Sequence, residues 1–145
     1  MDINKIQDKI IQEFGHFADR VGRFKYFRQI ARLGKQFPSI SVHDKNEATI
    51  VKGCKNKVWM KARYEDGKVF YETDSENQIS KGIAGLLSKV FSGQTPKEII
   101  NSNLYFLHEI NLYDKLNAAW TREVQSMMQR MKSLAISFKN TSLSV

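Results

Sequence analysis

The sequence predicts an α+β fold: N-terminal helices, then a small antiparallel β-sheet of about three strands, then several helices packed on one sheet face. Three observations favour it. Apolar residues recur at helical spacing in both ends of the chain, strand-like alternation is confined to the middle, and an Asp-Gly pair marks a hairpin there. The 145 residues, 41% of them hydrophobic, suffice for one domain, and no repeat or linker divides them. We therefore expect 1–145 to be a single domain.

Two helices are predicted before the sheet. The first runs from Asp2 to Phe14 and is interrupted by Gly15. The second suits a C-terminal cap at Gly34 and is stopped by Pro38. A polar loop is expected from Ser39 to Glu47. The apolar stripe of the first helix is Ile3, Ile6, Ile10 and Phe14, and that of the second is Val21, Phe24, Phe27, Ile30 and Ala31.

The β region begins with the short apolar pair Ile50-Val51 and, after a break, continues from Val58 to Tyr64 with alternating side chains. Asp66-Gly67 predicts a type I′ hairpin turn, because both central residues of that turn need a positive φ. The segment from Lys68 to Thr73 is then the partner strand.

The helix after the hairpin is predicted to start with a capping box formed by Ser75 and Gln78. Gly82 and Gly85 lie inside this helix at a cost in stability, which close approach of the sheet or another helix would offset. Its wide apolar face consists of Ile79, Ile83, Leu86, Leu87, Val90 and Phe91.

Three more helical segments complete the chain. Thr95 to Glu98 is a helix start, with Thr as N-cap, Pro at the first helical position and Glu at the third. A short helix is expected from Leu104 to Ile110, and a long one from about Thr121 to Lys139. The apolar stripe of the last helix is Val124, Met127, Met128, Met131, Leu134, Ala135 and Phe138.

Composition and charge narrow the functional classes. The net charge is +8, most of it in the first half of the chain, which suits a nucleic acid, an anionic surface or an acidic protein partner. One cysteine excludes an internal disulfide and a Cys-only metal site, and the three histidines lack metal-ligand spacing. No apolar run reaches membrane-spanning length, and the charged N-terminal segment is unlike a signal peptide, so we expect a cytoplasmic protein that does not engage membranes.

Cys54 is the candidate nucleophile. It lies between an apolar pair and a strand, directly after Gly53, with Lys52, Lys55 and Lys57 around it. Nearby ammonium groups lower a thiol pKa, whereas burial among apolar neighbours raises it. Sequence leaves open which effect wins, and also whether Cys54 is only a small buried hydrophobe. A loop that moves between sheltered and exposed states would allow both effects.

The residues around Cys54 resemble the signature of the SufE family of sulfur acceptors. The segment 53–59 reads G-C-K-N-K-V-W against the family's G-C-x-S-x-V-W. Two further segments match at the family's spacing: Asp74-Ser75-Glu76 with Ile79 and Lys81-Gly82-Ile83, then S-G-Q-T-P-K-E-I at 92–99 against S-G-x-T-P-x-E-I. The resemblance covers essentially the whole chain.

The sequence departs from the family in two places. Asn56 stands where the family has Ser. At the start of the last helix the family shows H-L-S-P-x-R-x-x-G-L, where Trp120 falls on the Arg and Glu123 on the Gly. Arg122 takes the place of that Arg only if the alignment shifts by two residues. The family's segment is associated with partner docking, so these differences concern the choice of partner.

The resemblance implies a persulfide carrier that works as partner and activator of an enzyme. A SufS-type, pyridoxal-phosphate-dependent cysteine desulfurase would hand its persulfide sulfur to Cys54, and an iron–sulfur scaffold such as SufBCD would receive it. The chain itself would need no cofactor or metal. Lys52, Lys55, Lys57 and Arg122 are the candidate docking residues.

Two alternatives remain open at this stage, and so does oligomeric state, with a weak homodimer as one form. The first is a basic module that binds nucleic acid or another polyanion, with Cys54 structural. The second is a degenerate relative that binds a desulfurase without passing sulfur on.

Overall fold

The computed structural model describes residues 2–36 and 39–143, and confirms the α+β class. The expected helix stop at Pro38 lies outside the described residues. Helices precede and follow a β-hairpin. The elements are α1 (Ile3–Phe14), α2 (Phe17–Arg20), α3 (Arg23–Gly34), a 3-10 turn (Val42–Asp44), β1 (Val58–Glu65), β2 (Lys68–Ser75), α4 (Gln78–Phe91), α5 (Pro96–Ile100), α6 (Phe106–Glu109), α7 (Leu112–Lys115) and α8 (Ala118–Leu143).

The first predicted helix is α1, whereas the second is corrected in three respects. Asp2 caps α1 by accepting a bond from the Lys5 backbone N–H at 2.8 Å, and Gly15 ends the helix at φ +51°. A separate short helix, α2, precedes α3 and leaves Val21 between them, and Gly34 is the last residue of α3, whose C-cap is Lys35.

The third correction concerns Phe24. The prediction that Phe24 joins the buried stripe of α3 is wrong, because its side chain is 77% exposed. Tyr26 is buried instead, and its hydroxyl donates to the Ile110 carbonyl at 2.8 Å. This polar anchor sets the rotation of α3 and turns Phe24 outward.

The hairpin forms at the predicted turn. Asp66 and Gly67 both have positive φ, +53° and +79°, as a type I′ turn requires. The expected third strand is reduced to an isolated bridge between Ile50 and Trp59, so the sheet of the described residues has two strands. The backbone before Ile50 is a turn, in which the Ile50 N–H bonds to the Asn46 carbonyl at 3.0 Å, and it leaves no extended segment to pair.

One face of the hairpin is buried beneath α4 and α8. Alternating residues of both strands point into this core: Val58, Met60, Val69, Tyr71 and Thr73. Tyr71 ties the sheet to α8, since its hydroxyl donates to the Met131 carbonyl at 2.7 Å. The sequence prediction of helices on one sheet face therefore holds.

Helix α4 starts differently from the prediction. Its N-cap is Asn77, whose side chain accepts from the backbone N–H groups of Ile79 and Ser80, so the Ser75 capping box is wrong. Asn is as good an N-cap as Ser, and the Ser75 hydroxyl accepts the Asn77 N–H at 3.1 Å instead. Gly82 lies against α3: a Cβ there would fall 2.1 Å from the Ile30 carbonyl oxygen. The expected close approach to another helix is confirmed at this glycine.

The C-terminal helices begin at the predicted capping box. Thr95 and Glu98 cap each other's backbone at the start of α5. The predicted short helix is α6, and α7 follows it as an additional turn of helix. The last helix starts at Ala118, earlier than expected, because the Asn117 side chain accepts the Trp120 N–H at 3.0 Å. No helix in the described part of the chain has the length and apolarity needed to span a membrane.

Candidate functional site

The loop around Cys54 is held at both ends. We call residues 52–57 the cysteine loop. At its start the Val51 N–H donates to the Val58 carbonyl at 2.8 Å, which closes the loop on the first residue of β1. At its end the Lys57 N–H donates to Glu76 Oε1 at 3.2 Å and the Lys57 carbonyl accepts the Ser75 hydroxyl at 2.7 Å. The loop is therefore anchored at both ends, and between these anchors its backbone does not pair with a strand.

Gly53 lets the loop lie directly on α8. Its φ of +91° is in the left-handed region that favours glycine. A Cβ at this position would lie 2.6 Å from the Ser126 hydroxyl oxygen. The backbone conformation therefore favours glycine immediately before Cys54, and any larger residue there would also displace the Ser126 hydroxyl.

The Cys54 thiol is half-buried against the first turns of α8. Its Sγ donates to the Glu123 carbonyl oxygen at 3.8 Å. Burial, and secondly the charge of the Glu123 carboxylate, raise the thiol pKa to about 12. The side chains of Lys52, Lys55 and Lys57 are exposed. Burial therefore outweighs the nearby lysines in setting the pKa of the thiol, and the thiol is protonated at neutral pH.

A buried carboxylate lies behind the cysteine loop. Glu123 is 1% exposed, and both of its carboxylate oxygens accept hydrogen bonds. The Ser80 hydroxyl of α4 donates to Oε1, and Asn56 of the loop donates through Nδ2 to Oε2 at 3.5 Å. We call these three residues the Glu123 cluster. Sequence reasoning missed it, although Glu123 is spaced by whole helical repeats from the buried Met127 and Met131.

A groove of about 1020 Å³ is lined by α3, the start of α4 and Trp120 of α8. Glu76, which bonds to the end of the loop, and Trp120, one turn before Glu123, both line it. Cations of α3 and apolar side chains make up most of the remaining wall: Arg23, Phe24, Phe27, Arg28, Ala31, Arg32, Lys35 and Ile79. We call it the basic groove. Exposed Phe24, unexplained by core packing, belongs to this wall.

The sequence-predicted docking residues are all exposed. Lys52, Lys55 and Lys57 lie on the cysteine loop, and Arg122 lies on α8 next to Glu123. They are therefore accessible close to Cys54, while the wall of the basic groove is formed by other cations. Within residues 2–36 and 39–143 no three His, Cys, Asp or Glu side chains come together to hold a metal ion.

Comparison with known proteins places this chain in one family. Residues 8–135 match the family model "SufE: Fe-S metabolism associated domain". An uncharacterized SufE-like protein of Synechocystis is 30% identical over 131 residues, 90% of this chain and 80% of that protein. The sulfur acceptor protein CsdE of Escherichia coli is 30% identical over 105 residues, 71% of each chain.

A solved structure supports the fold alone. The solution structure of a hypothetical protein from Thermus thermophilus shares 16% sequence identity, with a TM-score of 0.70 over 91% of this chain and 94% of that one. The family model and the curated relatives agree on one assignment. The chain belongs to the SufE family, whose domain is associated with iron–sulfur metabolism.

Proposed function

We propose that this protein accepts sulfur from a SufS-type cysteine desulfurase and carries it on Cys54 toward an iron–sulfur scaffold such as SufBCD. The observation that carries the proposal is the setting of Cys54. The chain's one cysteine lies on a loop anchored at both ends, and Glu76, which bonds to the end of this loop, also lines an open groove in a protein of the SufE family. The similarity to a sulfur acceptor protein supports the same role. In this role the chain is the partner and activator of an enzyme that brings its own pyridoxal phosphate.

The transfer is a thiol–disulfide exchange. The Cys54 thiolate attacks the outer sulfur of the desulfurase persulfide, and a new S–S bond forms as the old one breaks. The desulfurase thiolate leaves, and the proton given up by Cys54 passes to solvent or to that leaving thiolate. The transferred sulfur keeps its oxidation state, so no oxidant or reductant is consumed. One cysteine per chain means that no second thiol of the same chain can attack the new persulfide.

Docking has to change the state of the cysteine loop. The thiol rests half-buried with a pKa of about 12, so little thiolate is present at neutral pH. A loop drawn into the partner would leave the apolar shelter and the Glu123 carboxylate together. Both changes lower the thiol pKa, and so the nucleophile would form mainly where the persulfide is.

Intact-mass spectrometry without reductant tests the proposal. The protein is incubated with cysteine and a pyridoxal-phosphate cysteine desulfurase from the same source. We expect a species heavier by one sulfur atom, with the added mass on the peptide that contains Cys54. Absence of the added sulfur, with an active desulfurase, would refute the proposal.

We infer that the desulfurase docks through an acidic surface on the basic groove. The groove adjoins the cysteine loop through Glu76 and Trp120, so a partner seated there is within reach of Cys54. The exposed aromatic Phe24 supplies apolar contact area, and Arg28 lies over its ring at 5.8 Å. The cations of the groove are complementary in charge to an acidic protein surface. An apolar centre surrounded by polar groups is also typical of protein–protein interfaces.

Reversing one charge of the groove should weaken docking. We expect Arg28→Glu to raise the protein concentration needed for half-maximal sulfur acceptance by about tenfold, since a like-charge contact opposes association. Lys9→Glu, an equal change on an exposed position of α1, is the control and should leave that concentration nearly unchanged. Equal behaviour of the two variants would contradict docking at the groove.

The same experiment discriminates the nucleic-acid alternative. Basic and aromatic side chains side by side are also what a single-stranded nucleic acid would require. That alternative predicts salt-dependent RNA binding that Arg28→Glu weakens and Cys54→Ser leaves unchanged, with no sulfur acceptance by the wild type. Loss of sulfur acceptance in Arg28→Glu would instead support the desulfurase.

A further inference from the structure

The Glu123 cluster places a fully buried carboxylate in contact with the cysteine loop. Glu123 is 1% exposed, yet within residues 2–36 and 39–143 no cation pairs with its two carboxylate oxygens. Both oxygens instead accept from neutral donors, the Ser80 hydroxyl and the Asn56 amide. A buried carboxylate held in this way is costly compared with an apolar residue of similar size. Its presence on the buried face of α8 therefore calls for a role.

The cluster joins three elements of the fold through Glu123. Ser80 is on α4, Asn56 is on the cysteine loop, and Glu123 is on α8. Glu123 contacts the loop twice, once through Oε2 to Asn56 and once through its carbonyl oxygen to the Cys54 thiol. Asn56 and Glu123 are also two of the positions where the sequence departs from the family signature, and the structure brings these two departures into contact.

The charge on Glu123 acts directly on the thiol. A carboxylate beside a thiol disfavours a second negative charge there, and Glu123 is the second cause, after burial, of the raised Cys54 pKa. The hydrogen bonds of Glu123 and its charge thus act in the same direction. Both favour a Cys54 thiol that is protonated and lies against α8.

We propose that Glu123 is a positioning residue, which holds the cysteine loop against α8 through Asn56 and keeps the Cys54 thiol unreactive until a partner draws the loop away. The inference rests on the proposed function, because a thiol that carries sulfur must not react with oxidants and must react with its sulfur donor. The proposed effect of Glu123 is on the reactivity of the Cys54 thiol, which can be measured without any desulfurase.

Other charged groups on the same elements are exposed or already paired. Lys81 of α4 pairs with Asp74 at 3.3 Å. The partly buried Arg130 and Lys132 of α8 donate to the backbone carbonyls of Ala48 and Ser102. The exposed ones are Lys52, Lys55 and Lys57 on the loop, Glu76 before α4, Lys89 on α4, and Arg122 and Lys139 on α8. Solvent screens their effect on the thiol, and so the buried carboxylate is the charge whose removal should move the titration of Cys54.

The rate of alkylation by iodoacetamide, measured from about pH 7 to about pH 10, tests the proposal. The single cysteine makes every alkylation event report on Cys54. For Glu123→Gln, which keeps the shape and removes the charge, we expect a rate profile displaced to lower pH and alkylation about tenfold faster at pH 8 for each unit that the thiol pKa falls. Glu109→Gln, on an exposed position of α6, is the matched control and should follow the wild-type profile.

Asn56→Ala removes the link to the loop and leaves the charge in place. We expect faster alkylation at every pH, because the loop leaves α8 more often. A Glu123→Gln profile that overlays the wild type would overturn the electrostatic role, and an unchanged rate in Asn56→Ala would overturn the positioning role. If Glu123→Gln does not fold, the Asn56→Ala result still decides the positioning role, which is the proposal itself. Failure of sulfur acceptance with the expected alkylation behaviour would overturn the proposed function and leave this inference standing.

Discussion

Cys54→Ser is expected to abolish sulfur acceptance completely while leaving the fold intact. A serine hydroxyl is not a nucleophile toward a persulfide at neutral pH, and the chain has no other cysteine to replace it. The substitution conserves size at a half-buried position, and the hydroxyl can still donate to the Glu123 carbonyl. The free energy of unfolding should therefore change by no more than about 1 kcal/mol. Intact mass after the desulfurase reaction and a denaturant titration measure the two effects.

A matched variant tests whether sulfur acceptance depends on the position of the thiol or only on the presence of a thiol in the chain. Ser133→Cys, in the Cys54→Ser background, restores one thiol per chain at an exposed site on α8. We expect this double variant to take no sulfur from the desulfurase. Sulfur on Cys54→Ser, or equal labelling of the double variant and the wild type, would contradict a role specific to Cys54.

Gly82→Ala is expected to be the most destabilising small substitution in the helical layer. The added Cβ would lie 2.1 Å from the Ile30 carbonyl oxygen and 2.7 Å from its carbon, both backbone atoms of α3 that no side-chain rotation can move. Alanine gains about 1 kcal/mol in helix propensity over glycine, whereas overpacking costs about 1–3 kcal/mol or more. With two backbone atoms inside contact distance, we expect a net loss of about 2 kcal/mol in the free energy of unfolding.

Gly22→Ala is the control for this prediction. It makes the same chemical change at the start of α3, where no atom lies within 4 Å of the added Cβ. Its effect on stability should stay within about 1 kcal/mol, the range for a changed N-cap. The prediction for Gly82 fails if denaturant titrations give the two variants the same midpoint and slope.

Features encoded by neighbouring residues could be predicted from the sequence. The Asp66-Gly67 turn and the Thr95 capping box depend on a few consecutive residues, and both are confirmed. The Ser75 capping box failed because Asn77, two residues later, competes for the same helix start. The outward turn of Phe24 was unpredictable for a different reason: it follows from the bond between Tyr26 and Ile110, which are far apart in sequence.

The candidate site also combines features that the sequence could predict with features that arise only on folding. Cys54, Gly53 and the surrounding lysines could be singled out because they are adjacent in sequence. The direction of the Cys54 pKa shift could not be predicted, since burial by α8 and the approach of Glu123 depend on residues 69 positions away. The basic groove likewise joins α3 to Trp120 only after folding.

A single-turnover transfer tests the central claim, that Cys54 takes sulfur directly from a desulfurase persulfide. The desulfurase is loaded with one persulfide, freed of cysteine and mixed with this protein, and the mass of both proteins is followed in time. We predict that the desulfurase loses one sulfur atom as the Cys54 peptide of this protein gains it, at the same rate. A desulfurase that keeps its persulfide, or sulfur that appears on this protein at the same rate in Cys54→Ser, would contradict the account.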